Sequence, residues 1–171
     1  MQTGHVSKGF TLTELLISLA IVLLIASAGL PALQRLLENQ RASNDVRVLY
    51  ALFSDAHSHA VLHDRAVSLC PLDDSNECCP EWMDEISVFE DSNDNRILDD
   101  NERVLRRIPA VSDDRISRQY PGRRAVTFSP AGDSLGFNGT LRYKLEGLST
   151  HSASIVIHGT GRVRMGARER Y

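Results

Sequence analysis

Anion binding is the strongest chemistry this chain offers, and it is concentrated in residues 159–171. Arg162, Arg164, Arg168 and Arg170 stand there against a single acid, Glu169. In an extended segment Arg162 and Arg164 project to the same side, because side chains alternate with period two. Two guanidiniums ~7 Å apart on one side approach the spacing of phosphates along a DNA strand. Flanking glycines, Gly161 among them, allow the backbone to come close to a ligand. A solubilising tail or a final strand is the plainer use of the same residues.

Three other sets of residues carry potential chemistry. Asp91, Asn93, Asn95, Asp99 and Glu102 fall at positions 1, 3, 5, 9 and 12 of an EF-hand calcium loop. Position 6 of that loop calls for glycine, and Arg96 occupies it. The flanks also read as strands, so the expectation is an Asx-rich hairpin bonding its own backbone, with calcium as the alternative. Cys70 and either Cys78 or Cys79 suit a disulfide closing a small loop in an oxidising compartment, adding a few kcal/mol. Three cysteines without a suitably placed histidine argue against zinc. His57, His59 and His63 share one predicted helix, with His59 and His63 on one face, and are expected to be solvated. No Ser/His/Asp arrangement, phosphate loop or His-Glu-x-x-His motif occurs. No catalytic residue, metal or cofactor is therefore expected, and the chain does not read as an enzyme.

The elements that hold these residues begin with a long helix. Leu15 to Leu33 is nineteen residues without a charge, enough at ~1.5 Å per residue to cross a ~30 Å hydrocarbon core. Glu14 sits at its lip, and a carboxylate there needs a partner. Beyond Pro31 the apolar positions Leu33, Leu36, Leu37, Val48, Leu49, Leu52, Phe53, Ala56 and Ala60 recur at helical spacing. The pattern predicts one helix from Phe10 to about Ala66, ~85 Å if straight. Strands are predicted at 66–70, 85–90, 103–108, 124–129, 140–146 and 153–158, with a short one near 162–165. Turn signals separate them and no helix intervenes, so the class is α+β with an antiparallel sheet.

The net charge of −3 hides a segregation. Residues 71–102 hold twelve acids and one base, and residues 103–171 hold thirteen bases and five acids. The acidic block reads as a solvated loop region. The basic block includes ordinary strand-surface arginines such as Arg106 and Arg142, yet it permits an anion-binding face that whole-chain charge conceals.

Lys8-Gly9-Phe10-Thr11-Leu12-Thr13-Glu14 resembles the class III signal of type IV pilins and type II secretion pseudopilins. A secretory signal has a shorter apolar run and a cleavage site after it, whereas this chain continues at helical spacing. A plain anchor leaves Glu14 unexplained. The resemblance implies that a prepilin peptidase cuts between Gly9 and Phe10 and that Phe10 is N-methylated. It implies that Glu14 neutralises the terminal amine of a neighbouring subunit, which supplies the missing partner. Pro31 would fall where pilin helices commonly kink or melt.

Later motifs resemble the GspH/FimT branch of minor pilins: Cys70-Pro71, a later cysteine, Trp82, Val88-Phe89-Glu90-Asp91 and Gly161-Arg162-Val163-Arg164. Glu85, where glycine is common, and Arg96 depart from the pattern. The implied fold is pilin-like: a leader at 1–9, a transmembrane and assembly helix at 10–36, and a periplasmic domain at 37–171 with its basic tail at 159–171. The implied partners are other major and minor pilins, the prepilin peptidase and the inner membrane before assembly. Two functions follow from the branch. FimT-like members bind double-stranded DNA during natural transformation through Gly-Arg-x-Arg, whereas GspH-like members sit at the tip of a type II secretion pseudopilus. Arg168 and Arg170 tilt the reading toward DNA.

Overall fold

The computed structural model describes residues 11–135, 138–147 and 151–166. Gly9, Phe10, Arg168 and Arg170 lie outside the described residues, as do Leu148, Ser149 and Thr150.

Helix α1 spans Leu12–His63, 52 residues, or ~78 Å at ~1.5 Å per residue. Thr11 caps its start: the Thr11 hydroxyl accepts the Glu14 backbone N–H at 3.3 Å. With Glu14 three residues on, this is the capping-box sequence. The helix runs unbroken through Pro31, although the proline ring leaves the Ser27 carbonyl without its helical N–H donor. The helix therefore does not melt at Pro31, the remaining turns carrying it through the proline. At the other end Asp64 takes a left-handed conformation (φ 52°), and its N–H returns to Ala60 O.

The two halves of α1 live in different surroundings. Leu15, Leu19, Leu23, Leu30 and Leu37 are exposed within the chain, and the first half is long and apolar enough to cross a membrane. From Ala42 onward, Ala42, Val46, Leu49, Leu52, Phe53, Ala56 and Ala60 form a buried stripe.

That stripe packs on two antiparallel four-stranded sheets, where a single sheet was expected. The first contains β1 (Val67–Pro71), β2 (Ile86–Glu90), β3 (Val104–Ile108) and β5 (Val126–Phe128), in the order β3-β2-β1-β5. The second contains β4 (Ile116–Gln119), β6 (Gly139–Leu145), β7 (His151–Ile157) and β8 (Val163–Met165), in the order β4-β6-β7-β8. Strand β4 had not been predicted. Its inward position is Arg118, which destroys the apolar alternation that marks a strand. Burial pushes the Arg118 guanidinium below its ordinary pKa, and its Nη2 donates to the carbonyls of Met83 (3.0 Å) and Asp84 (3.2 Å).

One face of the first sheet, with Val67, Leu69, Ile86, Val88, Val126 and Phe128, joins α1 in the main core. Its other face is covered by the acidic segment, which gathers Cys70, Cys78 and Phe89 with Leu72, Leu98 and Val104. The acidic block is thus partly a lid over a sheet and not simply a solvated loop.

Candidate nucleic-acid interface

The arginine motif sits on the β7–β8 hairpin. His158 N–H donates to Arg162 O at 2.9 Å and Gly161 N–H donates to His158 O at 2.8 Å, closing a three-residue loop. Gly161 has φ +76°, the left-handed position that ends such a hairpin loop. A β-carbon at Gly161 would lie 1.7 Å from the carbonyl oxygen of Gly132. Its close approach is therefore to the protein's own backbone, and not to a ligand as its position beside the arginines suggests.

Gly132 is in turn fixed from α1, because His57 Nε2 donates to Gly132 O at 2.9 Å. Ser134 adds two links, its N–H to Gly159 O (3.1 Å) and its hydroxyl to His158 O (2.9 Å). Gly159 N–H is held by Asn138 Oδ1 at 2.7 Å. The hairpin is thereby seated on the helix and on the β5–β6 connection.

Val163 packs against the main core, so Arg162 and Arg164 face outward and both are exposed. With His158 and Thr160 they line a shallow cleft of about 300 Å³. Neither guanidinium pairs with a carboxylate among the described residues. Other arginines do: Arg106 with Asp55, Arg107 with Glu85, Arg115 with Glu38 and Asp113, and Arg124 with Glu77. Two unneutralised cations on a braced edge are suited to a phosphodiester backbone.

The Asp/Asn-rich segment turns as its own scaffold. Asp91 is fully buried; it accepts the Ser68 hydroxyl at 2.6 Å and the N–H groups of Asn95 and Arg96 at 3.1 Å each. Asp99 Oδ2 accepts the side-chain amides of Asn93 and Asn95, while Glu102 accepts Ser92 N–H at 2.7 Å. Arg96 adopts the left-handed conformation (φ 62°) that glycine supplies in a calcium loop. Protein donors occupy these oxygens, and among the described residues no His/Cys/Asp/Glu group is arranged to hold a metal.

Cys70 is bonded to Cys78, which decides between the two possible partners. Cys79 is free and partly buried, and burial pushes its thiol pKa up. The histidines are not simply solvated. His57 is a strut to Gly132, and His59 Nε2 meets Glu90 Oε1 at 2.9 Å. His63 stacks on His59 with ring centroids 4.0 Å apart. Trp82 is buried, its Nε1 donating to Arg123 O at 2.9 Å. Glu14 is exposed at the helix start, and Pro31 lies within the uninterrupted helix.

An exposed apolar helix continuous with a two-sheet domain defines a type IV pilin-like protein. The chain belongs to the GspH family: the family model described as type II transport protein GspH matches residues 45–161. The prokaryotic N-terminal methylation motif matches residues 5–30. Crystal structures of the Pseudomonas aeruginosa type IV minor pilin FimU share the fold. One has a TM-score of 0.59 at 19% identity, covering 76% of this chain and 91% of that one. The other has a TM-score of 0.54 at 20% identity, covering 75% and 92%. No curated protein sequence matches the chain. It is a minor pilin or pseudopilin of the GspH/FimT kind.

Proposed function

We propose that this minor pilin captures double-stranded DNA by its phosphate backbone during DNA uptake in natural transformation. The observation that carries this reading is the pair Arg162 and Arg164, exposed side by side and without a carboxylate partner among the described residues. Arg168 and Arg170 extend the same basic run in sequence. Contacts to phosphates fix position without reading bases, so binding is weak, sequence-independent and sensitive to salt.

Around this activity the chain is built into a filament. The prepilin peptidase removes residues 1–9 between Gly9 and Phe10, Phe10 is N-methylated, and Glu14 pairs with the amine of a neighbouring pilin. The apolar helix waits in the inner membrane with residues 37–171 in the periplasm. The role is one of binding and assembly, not catalysis. Titration of the full chain in detergent micelles with labelled duplex DNA tests the proposal, and unchanged binding by Arg162→Ala plus Arg164→Ala sinks it.

A second reading is favoured by the description of the matching family, a type II transport protein. As a pseudopilin at a secretion tip the chain would bind other pseudopilins and no DNA. A deletion strain separates the two: lost DNA uptake with intact secretion supports the first, and the reverse supports the second.

A further inference from the structure

The outward face of the second sheet carries the hairpin's charge further than the motif itself. Strand register sets which residues share that face. Arg142 on β6 lies opposite Ser154 on β7, and Val156 on β7 lies opposite Arg164 on β8. The intervening residues Leu141, Tyr143 and Ile155 point into the core. Arg142 and Arg164 therefore flank β7 on one surface. With strands ~4.8 Å apart and an offset of two residues, their Cα atoms are separated by roughly 12 Å.

Three observations give this surface a single character. Arg142 is exposed and, like Arg162 and Arg164, pairs with no carboxylate among the described residues. The next outward cation on β6, Lys144, is neutralised by Glu146, which closes the free charge at that end. Between the arginines lies Ser154, and the chain leaving β8 passes it as Gly166. Gly166 N–H donates to Ser154 O at 2.7 Å, and a β-carbon on Gly166 would lie 2.0 Å from Ser154 Oγ. The glycine keeps the described strip over β7 low, with the half-buried Ser154 hydroxyl beside Arg142 and Val156 beside Arg164. Guanidiniums flanking a hydroxyl-bearing strip are the groups that hold phosphates in a nucleic-acid backbone.

Resting on the DNA reading above, we infer that the phosphate-binding surface crosses the outer face of the second sheet, from Arg162 and Arg164 over Ser154 to Arg142. Arg142 is then a binding residue and not an ordinary strand-surface arginine. Lys144 and the paired arginines of the first sheet lie outside the footprint.

The test is anisotropy titration of the full chain in detergent micelles with a labelled duplex across a range of salt. Arg142→Ala should weaken binding about 8-fold at about 0.1 M salt and make the log–log salt slope shallower by about 0.9, as expected for one lost phosphate contact. Arg142→Lys should retain most of both, and Lys144→Ala and Arg106→Ala should match the unsubstituted protein. If Arg142→Ala keeps its affinity and slope while Arg162→Ala plus Arg164→Ala loses them, the hairpin acts alone and this inference is overturned. Equal losses in Arg142→Ala and Lys144→Ala overturn it too, since binding then follows net charge. An unsubstituted protein that binds no DNA removes the reading itself and the inference with it.

Discussion

Gly161 meets Gly132 backbone to backbone, so closely that a β-carbon on Gly161 would stand 1.7 Å from the Gly132 carbonyl oxygen. This contact seats the arginine hairpin on the domain and separates two kinds of damage. Gly161→Ala must escape both the clash and a φ of +76°, at a cost of about 2–4 kcal/mol. It should lower the melting temperature and weaken DNA binding together. Arg162→Ala plus Arg164→Ala should weaken binding at an unchanged melting temperature, which thermal melts beside a titration will distinguish.

Salt dependence counts the phosphates. Five arginines, Arg142, Arg162, Arg164, Arg168 and Arg170, should give a log–log slope of about −4.5 if each neutralises one phosphate. The double substitution at Arg162 and Arg164 should reduce it to about −2.7. The outward positions of the described β6, β7 and β8 strands carry no Phe, Tyr or Trp, so these described strands offer no platform to stack the bases of single strands. Duplex DNA should therefore bind more tightly than a single strand of equal length.

The contact between α1 and β2 titrates. A hydrogen bond from His59 holds the Glu90 carboxyl below its ordinary value of 4.5; burial opposes this and the Arg65 charge reinforces it. A depressed carboxyl stabilises the fold above its unfolded-state pKa, and that stability is lost as pH falls through the folded-state value. Urea melts should show full stability from this link near neutrality and a decline once pH drops below 4.5. Glu90→Gln should be less stable at neutral pH and should show a shallower acid decline.

Cys70 and Cys78 are eight positions apart, and a loop of that size contributes about 2.5 kcal/mol in the chain-entropy account. Reduction, or Cys70→Ser plus Cys78→Ser, should lower stability by about that amount, whereas Cys79→Ser should change it by less than about 1 kcal/mol. Mass spectrometry after alkylation without reductant should find only Cys79 modified.

Calcium should leave the melting temperature unchanged, with or without chelator. Asp91 is already occupied by Ser68, Asn95 and Arg96, and Ser68→Ala should destabilise by about 1–3 kcal/mol because it strips one donor from a buried carboxylate.

Much of this was legible in the chain. The helix shows in the spacing of Val48, Leu49, Leu52, Phe53 and Ala56, and most strands show in period-two runs such as Leu141-Arg142-Tyr143-Lys144-Leu145. Strand β4 was hidden because its inward residue is Arg118, whose Nη2 donates to carbonyls far away in sequence. The division into two sheets depends on β5 returning to β1, a long-range pairing with no local mark. The site divides the same way. Arg162 and Arg164 announce themselves by charge and spacing, whereas the role of Gly161 depends on a carbonyl 29 positions earlier. Arg142 joins them only through register, and the half-buried strut His57 and the buried Asp91 look like solvated residues until the elements opposite them are known.

The strut from His57 to Gly132 also has a mechanical meaning. A pull on Arg162 passes into the β7–β8 ladder, through the Ser134 bonds to Gly159 and His158 and along the chain to Gly132, and by His57 into the same helix that carries the long apolar segment. The load path runs from the tip of the hairpin to the axis of α1 through bonds that share the strain. Tension on a captured polymer would therefore be borne by the whole subunit, and the hairpin would not peel away as a loose flap.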